Sequence, residues 1–260
     1  MDVWRVATNN WSELRVAMGC RRVRVRGGLA HTYPIQRSGT FYNSAFVQTP
    51  QSFVIAEVER LYAERKLPFA ITLSSLKPYE NLGKSLERLR YSLAPTWILM
   101  THTKLTGGSG SNPEVRVAEI DRSNLGEWFE LQDAFPQAEK SRQTRLEMIE
   151  RVSKEKSARL LIASLQGKFV GAGLLFMKHK VASIHMIATL SDFRRKHVAT
   201  TVTLEAIRRS KESEARLVWL RTRKGGIGEK VYSKIGFTPF ADIRSYTKTP
   251  EYEEANLPPK

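Results

Sequence analysis

The run Ser183-Ile184-His185-Met186-Ile187-Ala188-Thr189-Leu190-Ser191-Asp192-Phe193-Arg194-Arg195-Lys196-His197-Val198-Ala199 decides how this chain is read. Its first half is strand-like, with Ser183, His185 and Ile187 alternating onto one face. Leu190-Ser191-Asp192-Phe193 interrupts that pattern, and a helical spacing of apolar residues follows from about His197 to Lys211. Arg194, Arg195 and Lys196 stand between strand and helix. A helix start offers several unpaired backbone N–H groups and a partial positive charge, which suits the pyrophosphate of a nucleotide cofactor. A solvated basic helix cap has the same composition, and this string alone does not choose between the two.

Outward from that run the chain alternates strands and helices. Before it, Val115 to Ile120 reads as a half-buried strand, Leu125 to Phe135 and Ser141 to Val152 as helices, and Leu160 to Ser164 with Phe169 to Met177 as a hairpin turned at Gln166-Gly167-Lys168. After it come the apolar strand Leu217-Val218-Trp219-Leu220, a helix from about Gly226 to Lys234, and a last strand before Lys248. Further upstream, Phe41 to Val47, Phe69 to Leu73 and Thr96 to Thr101 read as strands, with helical spacing after Phe53 and from Tyr79 to Tyr91. Both parts therefore end strand, helix, strand, helix, strand, the pattern of a divergent internal duplication. The linker-like Thr106-Gly107-Gly108-Ser109-Gly110-Ser111-Asn112-Pro113 separates them. The expected class is α/β with a mixed sheet, divided as 1–105, a linker at 106–113, 114–250, and a flexible tail at 251–260.

A second motif adds chemistry. Tyr232-Ser233-Lys234-Ile235-Gly236-Phe237 ends the helix that comes after the apolar strand, with Gly236 placed as a helix C-cap. Together with Arg194, Lys196 and Ala199 at the earlier helix start, it resembles the Gcn5-related N-acetyltransferases, whose pattern is R-x-x-G-x-G/A followed by Y-x-K-h-G-F. The resemblance runs from about Val115 to Lys248. It implies a tandem acyl-CoA N-acyltransferase-like fold and acetyl-CoA as cosubstrate. It places the pantetheine arm against the backbone of Ile187, Ala188 and Thr189, and the phosphates at Arg194, Arg195, Lys196, His197, Val198, Ala199 and Thr200. It also implies that Tyr232 protonates the departing thiolate. His185, nine residues before Arg194, resembles a histidine of the arylalkylamine N-acetyltransferases and stands as base or as the start of a water relay, with a structural histidine as the other reading. Two positions depart from the pattern: His197 replaces the central glycine, and Gly225 stands where an asparagine is often found.

The first 105 residues lack both motifs. Thr49-Pro50-Gln51-Ser52-Phe53 occupies the place of the phosphate loop without a basic residue, so a degenerate half that binds no cofactor is expected there. The 260 residues are 41% apolar and 26% charged, which excludes disordered and collagen-like chains. The lone Cys20 forms no intramolecular disulfide, and no stretch approaches the length of a membrane span, so a cytoplasmic protein is expected. No zinc-ligand spacing and no nucleotide-hydrolase motif is present.

Forty-two Lys and Arg against 26 Asp and Glu give a net charge of +16, which calls for anionic company. The expected acceptor is a small-molecule or peptide amine. Non-specific nucleic-acid binding, a transfer-RNA-dependent acyltransferase-like protein and a non-catalytic coenzyme A sensor stay open beside it. Trp128-Phe129 reads as a core pair or as a wall of the acceptor site.

Overall fold

The computed structural model describes residues 1–33, 40–102, 110–120, 124–133 and 142–248. Among these the chain forms α1 (Val3–Ala17), β1 (Arg21–Val25), β2 (Gly28–Thr32), β3 (Ser44–Val47), α2 (Ile55–Ala63), β4 (Ala70–Ser74), α3 (Glu80–Arg88), β5 (Ser92–Leu93) and β6 (Trp97–His102). Next come β7 (Arg116–Glu119), α4 (Leu125–Asp133), α5 (Arg142–Val152), β8 (Ala158–Leu165), β9 (Lys168–Lys178), β10 (Val181–Thr189), α6 (Val198–Glu212), β11 (Leu217–Arg223), α7 (Ile227–Lys234) and β12 (Thr238–Thr247). The mixed α/β class is as the sequence indicates. The tail at 251–260 and residues 106–109 of the linker lie outside the described residues.

Two compact units emerge, Met1–Ile98 with Ala241–Lys260, and Leu99–Phe240. The cut at 106–113 divides the series of elements, yet the compact units divide elsewhere. Most of β6 belongs to the second unit and most of β12 to the first. In the first unit the strand order is β1-β2-β3-β4-β12, with β5 beside β12. There β3 and β4 run parallel, so α2 is their crossover. Helix α1, capped by Asp2 on the Arg5 N–H at 3.0 Å, docks by donating from Trp4 Nε1 to the Val47 carbonyl at 2.7 Å. Buried Ser12 and His31 lie 2.7 Å apart. Arg15, also buried, donates to Ser44 Oγ at 2.7 Å and to the Phe41 carbonyl at 2.6 Å. The Thr49–Phe53 string carries no cation, but the fold brings Arg26 and Arg60 to the start of α2, around a cavity of about 340 Å³ that Glu57 also lines.

In the second unit the order is β6-β11-β10-β9-β8-β7. Strands β7 to β10 form an antiparallel meander, and β10 and β11 are parallel, crossed by α6. The core is continuous across β8, β9 and β10, where Leu161, Ala172, Leu174, Leu175 and Ala182 are fully buried. Trp128 and Phe129 belong to this core, at 0% and 2% exposure, and Trp128 Nε1 donates to the Leu161 carbonyl at 3.0 Å.

Two glycines let α6 lie directly on β9. A Cβ on Gly171 would stand 2.5 Å from Val198 Cγ1 and 2.9 Å from the Ala188 carbonyl oxygen. A Cβ on Gly173 would stand 2.7 Å from Ile187 Cδ1 and 2.8 Å from Val202 Cγ1.

Candidate functional site

The site begins where β10 leaves β11. The parallel ladder runs from Val181↔Leu217 to Ile184↔Leu220 and stops, while β10 continues to Thr189 and β11 to Arg223. At the same level β10 bulges against β9: His185 pairs with Leu174, and the next pair is Ala188 with Ala172. Met186, inside the bulge, takes φ 54°. One extra residue in one strand bends it and re-aims the residues beyond. It also overturns the regular alternation read from sequence. His185 and Ala188 now share a face, whereas Ile187 turns to the opposite one, toward Gly173 and Val202.

Beyond the parting, the Leu190 N–H is held by the Val170 carbonyl at 3.0 Å, and a single tight turn covers Ser191–Phe193. The loop then alternates: Arg194 is extended, Arg195 is left-handed at φ 61°, and His197 is left-handed at φ 59° and ψ 19°. His197 thus adopts the backbone that glycine would supply, an uncommon conformation in which histidine is enriched. It caps α6 without a side-chain hydrogen bond, so the N–H groups of Val198, Ala199 and Thr200 keep no intrahelical partner. Arg194, Arg195, Lys196 and His197 are exposed around them.

The end of the linker clasps this loop. Asn112 Nδ2 donates to the Lys196 carbonyl at 3.0 Å, and the Asn112 N–H donates to Thr201 Oγ1 at 3.0 Å. Thr201 Oγ1 in turn donates to the His197 carbonyl at 2.9 Å.

His185 packs its ring edge-on against Trp219 at 5.5 Å between centroids. Its Nε2 is sealed from solvent with no hydrogen-bond partner among the described residues. Burial, and secondarily the Arg221 guanidinium, push its pKa down to about 3, so the imidazole is neutral at physiological pH. Tyr232 is half-buried on α7, beside Phe237 and over Gly228, whose Cβ would meet Tyr232 Cε2 at 3.3 Å. Burial pushes its hydroxyl up to about 12. Gly225, at the position where an asparagine is often found, takes φ 74° and donates its N–H to Glu229 Oε2 at 2.7 Å, one residue before the α7 N-cap Gly226.

These residues fit a nucleotide thioester. An uncapped helix start framed by cations suits the phosphates. The parted strands leave the backbone of Ile187, Ala188 and Thr189 without a β11 partner, and Thr189 Oγ1 is buried and unsatisfied beside it.

Sequence reasoning missed Gly171, Gly173, Asn112 and Gln132. The glycines of β9 carried a signal, as isolated glycines inside a strand pattern mark close backbone approach; Asn112 and Gln132 carried none. Part of the +16 charge that motivates nucleic-acid binding is locally paired: Arg208 pairs with Glu205 and Glu212, and Arg209 with Glu119 and Glu205. Among the described residues no group of acidic, histidine or cysteine side chains suits a metal ion. No helix there is long and apolar enough to cross a membrane.

Residues 125–237 match the model of the acetyltransferase (GNAT) family. Among solved structures the chain is similar to a GCN5-related N-acetyltransferase from Kribbella flavida, with TM-score 0.74 and 13% identity over 96% of this chain and 98% of that one. It is similar to a functionally unknown conserved protein from Staphylococcus epidermidis, with TM-score 0.67 and 13% identity over 89% and 95%. A tandem GNAT protein from the clavulanic acid biosynthesis pathway aligns with TM-score 0.60 and 13% identity over 87% and 80%. At such identities the likeness is one of fold. No curated protein matches the chain in sequence.

Proposed function

We propose that this chain moves an acetyl group from acetyl-CoA to a primary amine by direct attack within a ternary complex, a reading supported by the match of residues 125–237 to the acetyltransferase (GNAT) family model. The observation that carries this reading is the opening of the β10–β11 ladder after Ile184↔Leu220, directly ahead of the left-handed loop at Arg195–His197 and the uncapped start of α6. Acetyl-CoA supplies the acetyl group as a thioester. Val198, Ala199 and Thr200 receive its phosphates through backbone N–H groups, with Arg194, Arg195, Lys196 and His197 around them. Ile187, Ala188 and Thr189 receive the pantetheine arm through the freed edge of β10.

Attack requires a neutral amine, because an ammonium has no lone pair. With its pKa pushed down to about 3, His185 stays neutral and holds a proton poorly, so it is assigned a polar place beside a proton path through water rather than the role of a base that keeps the proton. Tyr232, with its hydroxyl pushed up to about 12, stays protonated at neutral pH and donates to the sulfur as negative charge develops there. The first unit, without the cationic loop, is assigned a degenerate acetyltransferase-like role that shapes the protein and takes no cofactor.

The test is release of free thiol from acetyl-CoA over a panel of small-molecule and peptide amines, with calorimetric titration of coenzyme A alongside. Amine-dependent thiol release is the expected result. Binding of coenzyme A without release for any amine would replace the enzyme by a non-catalytic sensor.

A further inference from the structure

Gln132 lies on α4, a helix that contributes neither the basic loop nor Tyr232, and it is 8% exposed. Its Nε2 donates to the Met186 carbonyl at 2.6 Å. That carbonyl belongs to the bulge of β10, between the pairs His185↔Leu174 and Ala188↔Ala172, beyond the last rung shared with β11. A strand carbonyl turned off both ladders has to find a partner, since one left unsatisfied away from water destabilises the fold. The residue that bears it is also held at φ 54°, a left-handed backbone that a residue with a Cβ adopts only against steric strain. Two unfavourable features thus coincide at Met186, and one hydrogen bond meets both.

The helix bearing the donor is fixed to the sheet. Trp128, one turn earlier on the same face of α4, donates Nε1 to the carbonyls of Leu161 at 3.0 Å and Gly173 at 3.3 Å. Helix α4 is therefore bolted to β8 and β9 at one turn and to the β10 bulge at the next. The distance between them fixes how far the bulge stands out, and with it the direction of the Ile187–Thr189 backbone.

We propose that Gln132 is a positioning residue of the acetyl-transfer site: through its 2.6 Å hydrogen bond to the Met186 carbonyl it holds the β10 bulge that aims Ile187–Thr189 at the pantetheine arm. This rests on the reading of the site as one for acetyl-CoA. Its consequence is selective. The grip on the phosphates, made by the loop and the start of α6, does not depend on Gln132, whereas the grip on the pantetheine does.

The experiment compares two ligands of the full chain by calorimetry: coenzyme A, and adenosine 3′,5′-bisphosphate, which keeps the 3′-phosphate and the first phosphate of the pyrophosphate and lacks the second together with the pantetheine. Gln132→Met, close in volume and without a donor, is expected to weaken coenzyme A about tenfold, the equivalent of one hydrogen bond of about 1.4 kcal/mol. Adenosine 3′,5′-bisphosphate is expected to stay within about twofold of the native affinity. In a Met186→Gly background, where glycine takes the positive φ without a Cβ, the Gln132→Met penalty on coenzyme A should shrink.

Equal losses for both ligands, or no loss for either, overturn the proposal. If Gln132→Met alone does not fold, the double variant with Met186→Gly should fold and bind coenzyme A; a double variant that also fails shows that Gln132 holds the unit rather than the bulge. A native chain that binds adenosine 3′,5′-bisphosphate and not coenzyme A refutes the acetyl-CoA reading itself, and the role of Gln132 falls with it.

Discussion

Replacing Gly171 by alanine tests whether the seat of α6 on β9 is what builds the site. The added methyl would meet Val198 Cγ1 at 2.5 Å, the Ala188 carbonyl oxygen at 2.9 Å and Ala163 Cβ at 3.6 Å. Carbon atoms rest about 3.5–4.0 Å apart, so roughly 1 Å must open between strand and helix. Little can yield locally. Val198 is 1% exposed and, being β-branched in a helix, has about one usable rotamer. The Ala188 oxygen is backbone. Overpacking of this kind costs about 1–3 kcal/mol, and two unyielding contacts put Gly171→Ala at the upper end.

For a chain of this size about 2–4 °C of melting temperature accompanies each kcal/mol, so a fall of about 5–10 °C is expected. Because the methyl drives apart Ala188 and Val198, both assigned to the cofactor, coenzyme A affinity should fall by about tenfold or more. Gly173→Ala should cost less, since Ile187 Cδ1 at 2.7 Å is the free end of a flexible side chain, which leaves Val202 Cγ1 at 2.8 Å as one unyielding contact and no backbone atom in the way. Adding Val198→Ala to Gly171→Ala removes one of the two close contacts and should recover part of the loss. Scanning calorimetry with and without coenzyme A reads all four proteins. A Gly171→Ala variant that melts with the native protein and binds coenzyme A equally well would refute the reasoning, as would a larger cost at Gly173.

Tyr232→Phe should leave coenzyme A affinity unchanged and lower turnover by about 10², the usual scale of lost general-acid catalysis, read under single-turnover conditions; an unchanged rate assigns Tyr232 to the core. The pair Arg194→Ala and Lys196→Ala should weaken coenzyme A at least about tenfold, since each charged hydrogen bond contributes roughly 1.5–3 kcal/mol, whereas Arg26→Ala with Arg60→Ala at the first unit's cavity should leave it alone; the reverse order would move the cofactor to the first unit. His31 is held by burial at a pKa of about 2, below the ordinary 6.5, so the unfolded chain takes up a proton that the folded chain refuses. Stability is therefore full above about pH 6.5 and falls as the pH drops below it, by up to about 1.4 kcal/mol per pH unit. His31→Gln should flatten that slope in urea titrations between about pH 7 and pH 5, and parallel slopes would count against it. His197→Gly should tighten coenzyme A modestly, by relieving the φ of 59°, as read by calorimetric titration; a loss of affinity would show the His197 side chain holding phosphate.

The second half is legible because its elements are local. Strand β10 spans Val181–Thr189 as the alternation indicates, and α6 starts where apolar residues begin to recur at helical spacing. The features that stay hidden depend on partners. Nothing in Trp97-Ile98-Leu99-Met100 states that most of this strand joins the second unit, nor in Thr238–Thr247 that most of it joins the first. The α1 helix and the β1–β2 hairpin escape a reading by pattern because a helix whose buried face includes Thr8, Asn10, Ser12 and Arg15 blurs the apolar period, and β1 is written in arginines. The bulge at Met186 is invisible for another reason. Alternation cannot register one extra residue when both flanks remain apolar, and so it puts Ile187 on the wrong face.

The departures from the family pattern are where local and tertiary structure have exchanged duties. A phosphate loop needs a left-handed turn just before its helix, and glycine supplies it without a Cβ. Here Arg195 and His197 both take positive φ, at a cost that the loop's own sequence does not offset. The offset comes from Asn112, some eighty residues earlier in the chain, which ties the Lys196 carbonyl with its side-chain amide and Thr201 with its backbone. Gly110 leaves room beside the imidazole, its Cβ position lying 3.9 Å from His197 Nδ1. Substituting glycine by histidine gives the loop another side chain able to carry positive charge, at the price of making its shape depend on the segment that joins the two halves of the sequence. A change at Asn112 therefore acts on the loop as directly as a change at His197.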